Sequence, residues 1–258
     1  MQKRHINRKQ YFYELARTCE KYFLPFIEKH KQIIPDYNVL EIGCGEGGNL
    51  LPFSKRGCMV TGIDISDIRI EEARQFFEEE GLPGRFLCQD IFSFETNEKY
   101  DVIIIHDVIE HVPEKKRLLT MAVTHLNRNG LIYVGFPPWQ MPFGGHQQIC
   151  HNSVPSFMPF IHLLPKYLYK ILLECMGESQ RTISELMEIK ECKMTIEHLK
   201  KLVKEINLQL VDEIYYFINP HYESKFGLKP RKTISLFAAI PFFRNFTTTS
   251  YAAVLRNL

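Results

Sequence analysis

Residues 39–50 read Val-Leu-Glu-Ile-Gly-Cys-Gly-Glu-Gly-Gly-Asn-Leu (VLEIGCGEGGNL). The stretch is a short apolar run that breaks into glycines, so Val39–Ile42 is expected to be a buried strand. Gly43-x-Gly45-x-x-Gly48 has the spacing of a dinucleotide fingerprint. Such a loop leaves a strand, lets backbone approach a ligand and opens a helix. Alone the loop is a weak signal, and its neighbours must decide what it holds.

Outward from the loop, strands and helices alternate. Residues 9–34 read as one or two aromatic-rich amphipathic helices ending before Pro35. Gly47–Lys55 reads as helix, with Pro52 tolerated only in its first turn. Met59–Ile63 is a strand, and Ser66 caps a helix over Asp67–Glu80 that Gly81 stops. Arg85–Cys88, Tyr100–Ile105 and Leu131–Phe136 are further strands. A helix over Pro113–Leu126 is opened by proline and closed near Gly130. This alternation implies a parallel sheet covered on both faces, and β-branched runs such as Val102–Ile105 fit strands buried on both sides.

After Phe136 the pattern changes to proline- and aromatic-rich segments and helices. Thr195–Ile206 is a helix, and Leu208–Phe217 and Ser250–Leu255 are two last strands. Between them lies a loop with Lys225, Lys229, Arg231 and Lys232. The expected architecture is α/β. It is a Rossmann-like, doubly wound, mostly parallel seven-stranded sheet with an antiparallel last strand and a helical lid inserted after the fifth strand. Residues 1–258 are expected to form one domain: a cofactor-binding core at 37–136, a lid at 137–194 and a sheet-completing part at 195–258.

Composition sets bounds. The chain has 258 residues, 45% hydrophobic and 24% charged, as is usual for a globular domain. A formal net charge of +2 does not argue for nucleic acid. Seven cysteines without a CxxC pair read as reduced thiols rather than a disulfide framework. The basic start, MQKRHINRKQYFYEL, lacks the apolar run of a secretory signal. Phe157–Met176 carries His162, lysines, Glu174 and prolines, which argues against a transmembrane helix. A cytoplasmic location is the expectation.

Asp64 ends the second strand and can accept both hydroxyls of a ribose. Asp90 ends the third, where a carboxylate can accept from an exocyclic amine. VLEIGCGEGGNL, TGIDIS, CQDIFSF, YDVIIIHDVIEHV and GLIYVGFPP resemble, in order, the successive motifs of class I S-adenosylmethionine-dependent methyltransferases. The resemblance spans about a hundred residues and implies S-adenosyl-L-methionine as cofactor. It implies a cofactor-binding set of Glu41, Gly43, Cys44, Gly45, Gly47, Asp64, Ile65, Asp90, Ile91 and His106. Glu41 is expected to order the loop backbone, and His106 to sit beside the cofactor.

Asp107-Val108-Ile109-Glu110-His111 resembles an element of ubiquinone-biosynthesis O-methyltransferases and small-RNA 2′-O-methyltransferases that is associated with a divalent cation. Asp107, Glu110 and His111, with His146 as fourth ligand, suit magnesium, manganese or zinc. The alternative is that Glu110 and His111 tie the loop to the helix as plain structure. His146 and Asp107 are the catalytic candidates, His146 as a general base with His151 and His106 as competitors. Phe136, Trp139 and Phe143 are candidates for the acceptor pocket.

Phe157–Leu173 reads first as a packed lid. Its lysines and aromatics also fit a hydrophobic acceptor or a peripheral membrane contact. The expected activity is O-methylation of a small molecule, glycan or lipid-linked precursor. The rivals are an RNA methyltransferase, a non-catalytic partner protein of the same fold and an NAD(P)-dependent oxidoreductase.

Overall fold

The computed structural model describes residues 7–257. The first six residues of the basic start lie outside them. Eight strands form one sheet: β1 (Asn38–Ile42), β2 (Met59–Asp64), β3 (Arg85–Cys88), β4 (Tyr100–His106), β5 (Leu126–Phe136), β6 (Leu208–Ile218), β7 (Arg231–Lys232) and β8 (Ser250–Asn257). Their order is β3-β2-β1-β4-β5-β8-β6-β7. β1 to β5 are parallel, and β8 runs antiparallel between β5 and β6.

Alternate residues of the central strands serve two cores, because successive side chains point to opposite faces. Val39, Val102, Ile104 and Tyr133 pack on one face against α1 (Arg8–Thr18), α2 (Leu24–Glu28), α3 (Leu51–Lys55) and α4 (Asp67–Glu79). Leu40, Ile103, Ile105 and Val134 pack on the other against α5 (Lys115–His125) and α9 (Ile196–Glu205).

The first helical segment is continuous. A π-helical turn at Cys19–Phe23 joins α1 to α2, and Leu24 N–H reaches back to Cys19 O. Pro25 explains the turn: proline lacks an N–H and crowds the carbonyl four residues back, so the backbone widens there.

Two expectations are corrected. The sheet has eight strands rather than seven, because Arg231 and Lys232 of the basic loop pair with Ile218 and Tyr216 at the edge. β5 starts at Leu126, inside the span expected for helix. Tyr100 pairs with Leu126 before the register shifts to Val102 against Leu131. Gly130 therefore lies within the strand instead of capping α5, and a Cβ there would stand 2.7 Å from a Leu126 methyl.

The segment after β5 contains α6 (Ser153–Phe157), α7 (Lys166–Cys175) and α8 (Gln180–Cys192). Tyr169, Leu173, Ile183 and Leu186 give it a small core of its own. It is not packed throughout: Phe157, Tyr167 and Leu168 are exposed. α10 (His221–Phe226) and α11 (Ser235–Ala239) flank β7. Among the described residues no helix is long and apolar enough to cross a membrane.

Candidate active site

A cleft of about 370 Å³ opens at the C-terminal ends of β1, β2, β3 and β4. Strand register makes it. Ile42 lies level with Ile63 and Ile105, so Gly43, Asp64 and the residues after β4 leave the sheet at one edge.

Gly43, Gly45 and Gly47 all have left-handed backbone, with φ of 71°, 52° and 79°. A Cβ on Gly43 would stand 2.3 Å from a Val108 methyl, so the turn after β4 closes directly over the loop. Gly47 N–H donates to Cys44 O at 2.8 Å, which tightens the turn. Asp64 then fastens it to β2. Its two carboxylate oxygens accept from Gly45 N–H and Ser66 N–H, each at 2.9 Å.

Glu41 does not bond loop backbone. It accepts from the Asn49 side chain at 2.7 Å, and its second oxygen has no partner among the described residues. Burial pushes its carboxyl up to about 8, and the Asp64 and Glu46 carboxylates push the same way. Cys44 is buried, its sulfur facing Gly62 of β2 rather than the cleft. Ile65 stands exposed at the rim, Ile91 is buried in the wall, and Asp90 caps the turn at Ile91–Ser93 through Phe92 N–H at 2.9 Å.

His106 is not in this cleft. It shares the face of Val102 and Ile104 on β4, and its ring packs 4.5 Å from Phe23 and stacks on Tyr133. Asp107 does line the cleft, in left-handed conformation with φ 53°.

Of the four candidate metal ligands the structure gathers three. Ligand atoms of Glu110, His111 and His146 lie within 4.8 Å of one another. Asp107 is outside the group: α5 begins only at Lys115, so no helical turn stacks Asp107 over Glu110. Glu110 is buried, and neither carboxylate oxygen has a hydrogen-bond partner among the described residues, though one lies 3.9 Å from His111 Nε2. Burial, then the Asp107 carboxylate, hold its carboxyl well above the usual range. Desolvation lowers the His111 imidazole, with Lys115 and Arg69 acting the same way against Asp107.

The common dinucleotide-binding sheet is mostly parallel and runs 3-2-1-4-5-6. Here antiparallel β8 is inserted between β5 and β6. A family model described as a methyltransferase domain matches residues 7–213. The chain belongs to that family.

Ubiquinone biosynthesis O-methyltransferase of Rickettsia canadensis (strain McKiel) is 32% identical over 114 residues, which is 44% of this chain and 48% of the relative. The protein of the same name in Coxiella burnetii (strain Dugway 5J108-111) is 30% identical over 97 residues, 37% of this chain and 42% of the relative. The chain thus spans about half the length of the curated relatives it matches. An S-adenosylmethionine-dependent methyltransferase from Clostridium acetobutylicum ATCC 824 aligns with TM-score 0.60 at 13% identity, over 94% of this chain and 92% of that one. Plantazolicin methyltransferase BpumL, in complex with a triazolic desmethylPZN analog and SAH, aligns with TM-score 0.57 at 18% identity, over 98% and 88%. At these identities the likeness is one of fold.

Within this methyltransferase domain, three candidates lie elsewhere than expected. Phe136 packs on Tyr251 in the core. Trp139 is buried edge-on against His162, whose ring bonds Trp139 O at 2.7 Å. His151 is exposed beside Glu178. Sequence reasoning missed Arg69, which brings a guanidinium to the cleft wall. It also missed Arg8, whose side chain donates to buried Glu46 of the glycine loop at 2.5 Å. Arg69 had a local signal, its place in the first turn after Asp64. Arg8 had none, since 38 residues separate it from Glu46.

Proposed function

We propose that this methyltransferase domain binds S-adenosyl-L-methionine in the cleft at the ends of β1 to β4 and serves O-methylation of a small molecule. One observation carries the reading: three left-handed glycines and the Asp64 carboxylate form a single hydrogen-bonded floor under the cleft. The volume of about 370 Å³ suits a small-molecule cofactor. When bound, S-adenosylmethionine supplies an already activated sulfonium methyl, so positioning accounts for much of the acceleration.

The chain's own residues do the rest. Asp64 keeps lone pairs free for ribose hydroxyls, and the left-handed loop brings backbone close to the ligand. Ile65 offers an apolar wall and Asp90 a carboxylate for the base. Asp107 lies where the loop meets the acceptor side. An acceptor hydroxyl must lose its proton, and His146 is the base we assign to it. The names of the ubiquinone-biosynthesis relatives support oxygen as the acceptor atom. Residues 137–194 act as the lid of one domain.

A divalent cation is the second reading for the same proton. Glu110, His111 and His146 would hold it, and its charge would lower the hydroxyl pKa. The buried Glu110 oxygens, without a hydrogen-bond partner and beside two imidazoles, favour it, and this donor set suits zinc or manganese.

The test is calorimetric titration with S-adenosylhomocysteine, with NADH as control, before and after adding Mn²⁺ or Zn²⁺. We expect micromolar binding of the first and none of NADH, and Asp64→Ala to weaken binding several-fold. Binding of NADH alone, or of neither ligand with metal present, overturns the cofactor assignment. Metal uptake by native mass spectrometry that His146→Ala abolishes supports the cation. Its absence leaves His146 as base.

A further inference from the structure

We propose that this chain docks on an anionic lipid surface through a face formed by residues 153–168 and 234–246. The argument does not depend on the methyl-transfer reading. Two distant stretches meet there, with Phe160 and Phe246 rings 6.4 Å apart. Both stretches point large apolar side chains at solvent. Phe157 and Tyr167 are 77% and 74% exposed, and Leu236 and Phe242 are 68% and 66% exposed. Soluble surfaces rarely gather such residues in one place without a partner.

The charge pattern says what the partner is. From Lys115 to Leu173, and again from Ser224 to Leu258, the sequence contains no aspartate or glutamate. Lys229, Arg231 and Lys232 stand exposed just before Ile234 and Leu236. Lys166 and Lys170 are tied to Glu191 and Glu174, so the uncompensated positive charge comes from the β7 side. An apolar, aromatic face with a basic margin matches a bilayer interface, where hydrocarbon and anionic headgroups lie side by side. A second copy of the chain would bring cations against cations. Among the described residues no helix is long and apolar enough to cross a membrane.

The experiment is sedimentation of the full chain with phosphatidylcholine vesicles, with and without phosphatidylglycerol. We expect binding that requires phosphatidylglycerol and weakens with salt. Each cation removed in Arg231→Gln and Lys232→Gln should lower the partition coefficient about fivefold. Phe242→Ser and Phe157→Ser should lower it as well, with circular dichroism spectra unchanged. No sedimentation with phosphatidylglycerol vesicles overturns the proposal. So does binding that none of these variants alters. Self-association that Phe242→Ser abolishes also overturns it, since that identifies a second copy as the occupant.

Discussion

Glu41 is buried inside β1, one oxygen held by Asn49 and the other without a hydrogen-bond partner among the described residues. Its ordinary value is 4.5 and its folded value about 8. Between those values the folded chain keeps a proton that the unfolded chain has released, so stability falls as pH rises, then levels above about 8. Glu41→Gln keeps an acceptor for Asn49 and removes the charge. We expect the variant to be more stable by about 4 kcal/mol above pH ~8, where the wild-type chain ionises in a low-dielectric site. The advantage should vanish toward pH ~5. Urea unfolding without cofactor across that range checks it. Parallel pH profiles for the two proteins would show that Glu41 carries no such burden.

The elements are joined by a polar brace as well as by the two cores. Glu197, in the first turn of α9, accepts from Phe242 N–H at 2.9 Å, Arg244 Nε at 2.8 Å and Asn245 Nδ2 at 2.5 Å. Asn245 returns a bond by accepting Ile196 N–H at 2.9 Å. The N-terminus of one helix thus anchors the segment that leads into β8. Those bonds hold the Glu197 carboxyl below its usual value despite burial. Glu197→Ala would take the paired carboxylate from the buried Arg244 guanidinium, leaving it Tyr215 Oη and Ala238 O. We expect a loss of about 3 kcal/mol and faster proteolysis within residues 234–246. Equal unfolding midpoints and equal cleavage rates would show that apolar packing alone holds the segment.

At the level of the whole molecule, the cleft draws on four strands, the glycine loop and the turn after β4. A ligand there should therefore stabilise the global fold rather than one loop. At a hundredfold excess over its dissociation constant, S-adenosylhomocysteine should add about 2.7 kcal/mol. For a chain of this size that is a rise in melting temperature of roughly 5–10 °C. Differential scanning fluorimetry reads it directly. A shift with NADH instead would reassign the cleft.

The amino-acid sequence by itself determined the strand and helix order through β4 and the edge at which the cleft opens. Apolar runs such as Val102–Ile105 have few conformations that bury them, and glycine is the residue that adopts the three left-handed positions after β1 without strain. Asp64 was legible for the same reason, since it ends a strand beside that loop. What only the tertiary structure decided depends on partners far away in the chain. His106 turns toward Phe23 because β4 alternates faces and α2 supplies the ring. Arg8 reaches Glu46, and β5 begins early because Tyr100 offers Leu126 a pairing partner. Asp107 falls outside the Glu110, His111 and His146 group because the chain there is a turn and not a helix. No spacing rule reports those outcomes, because each rests on which surfaces meet after folding.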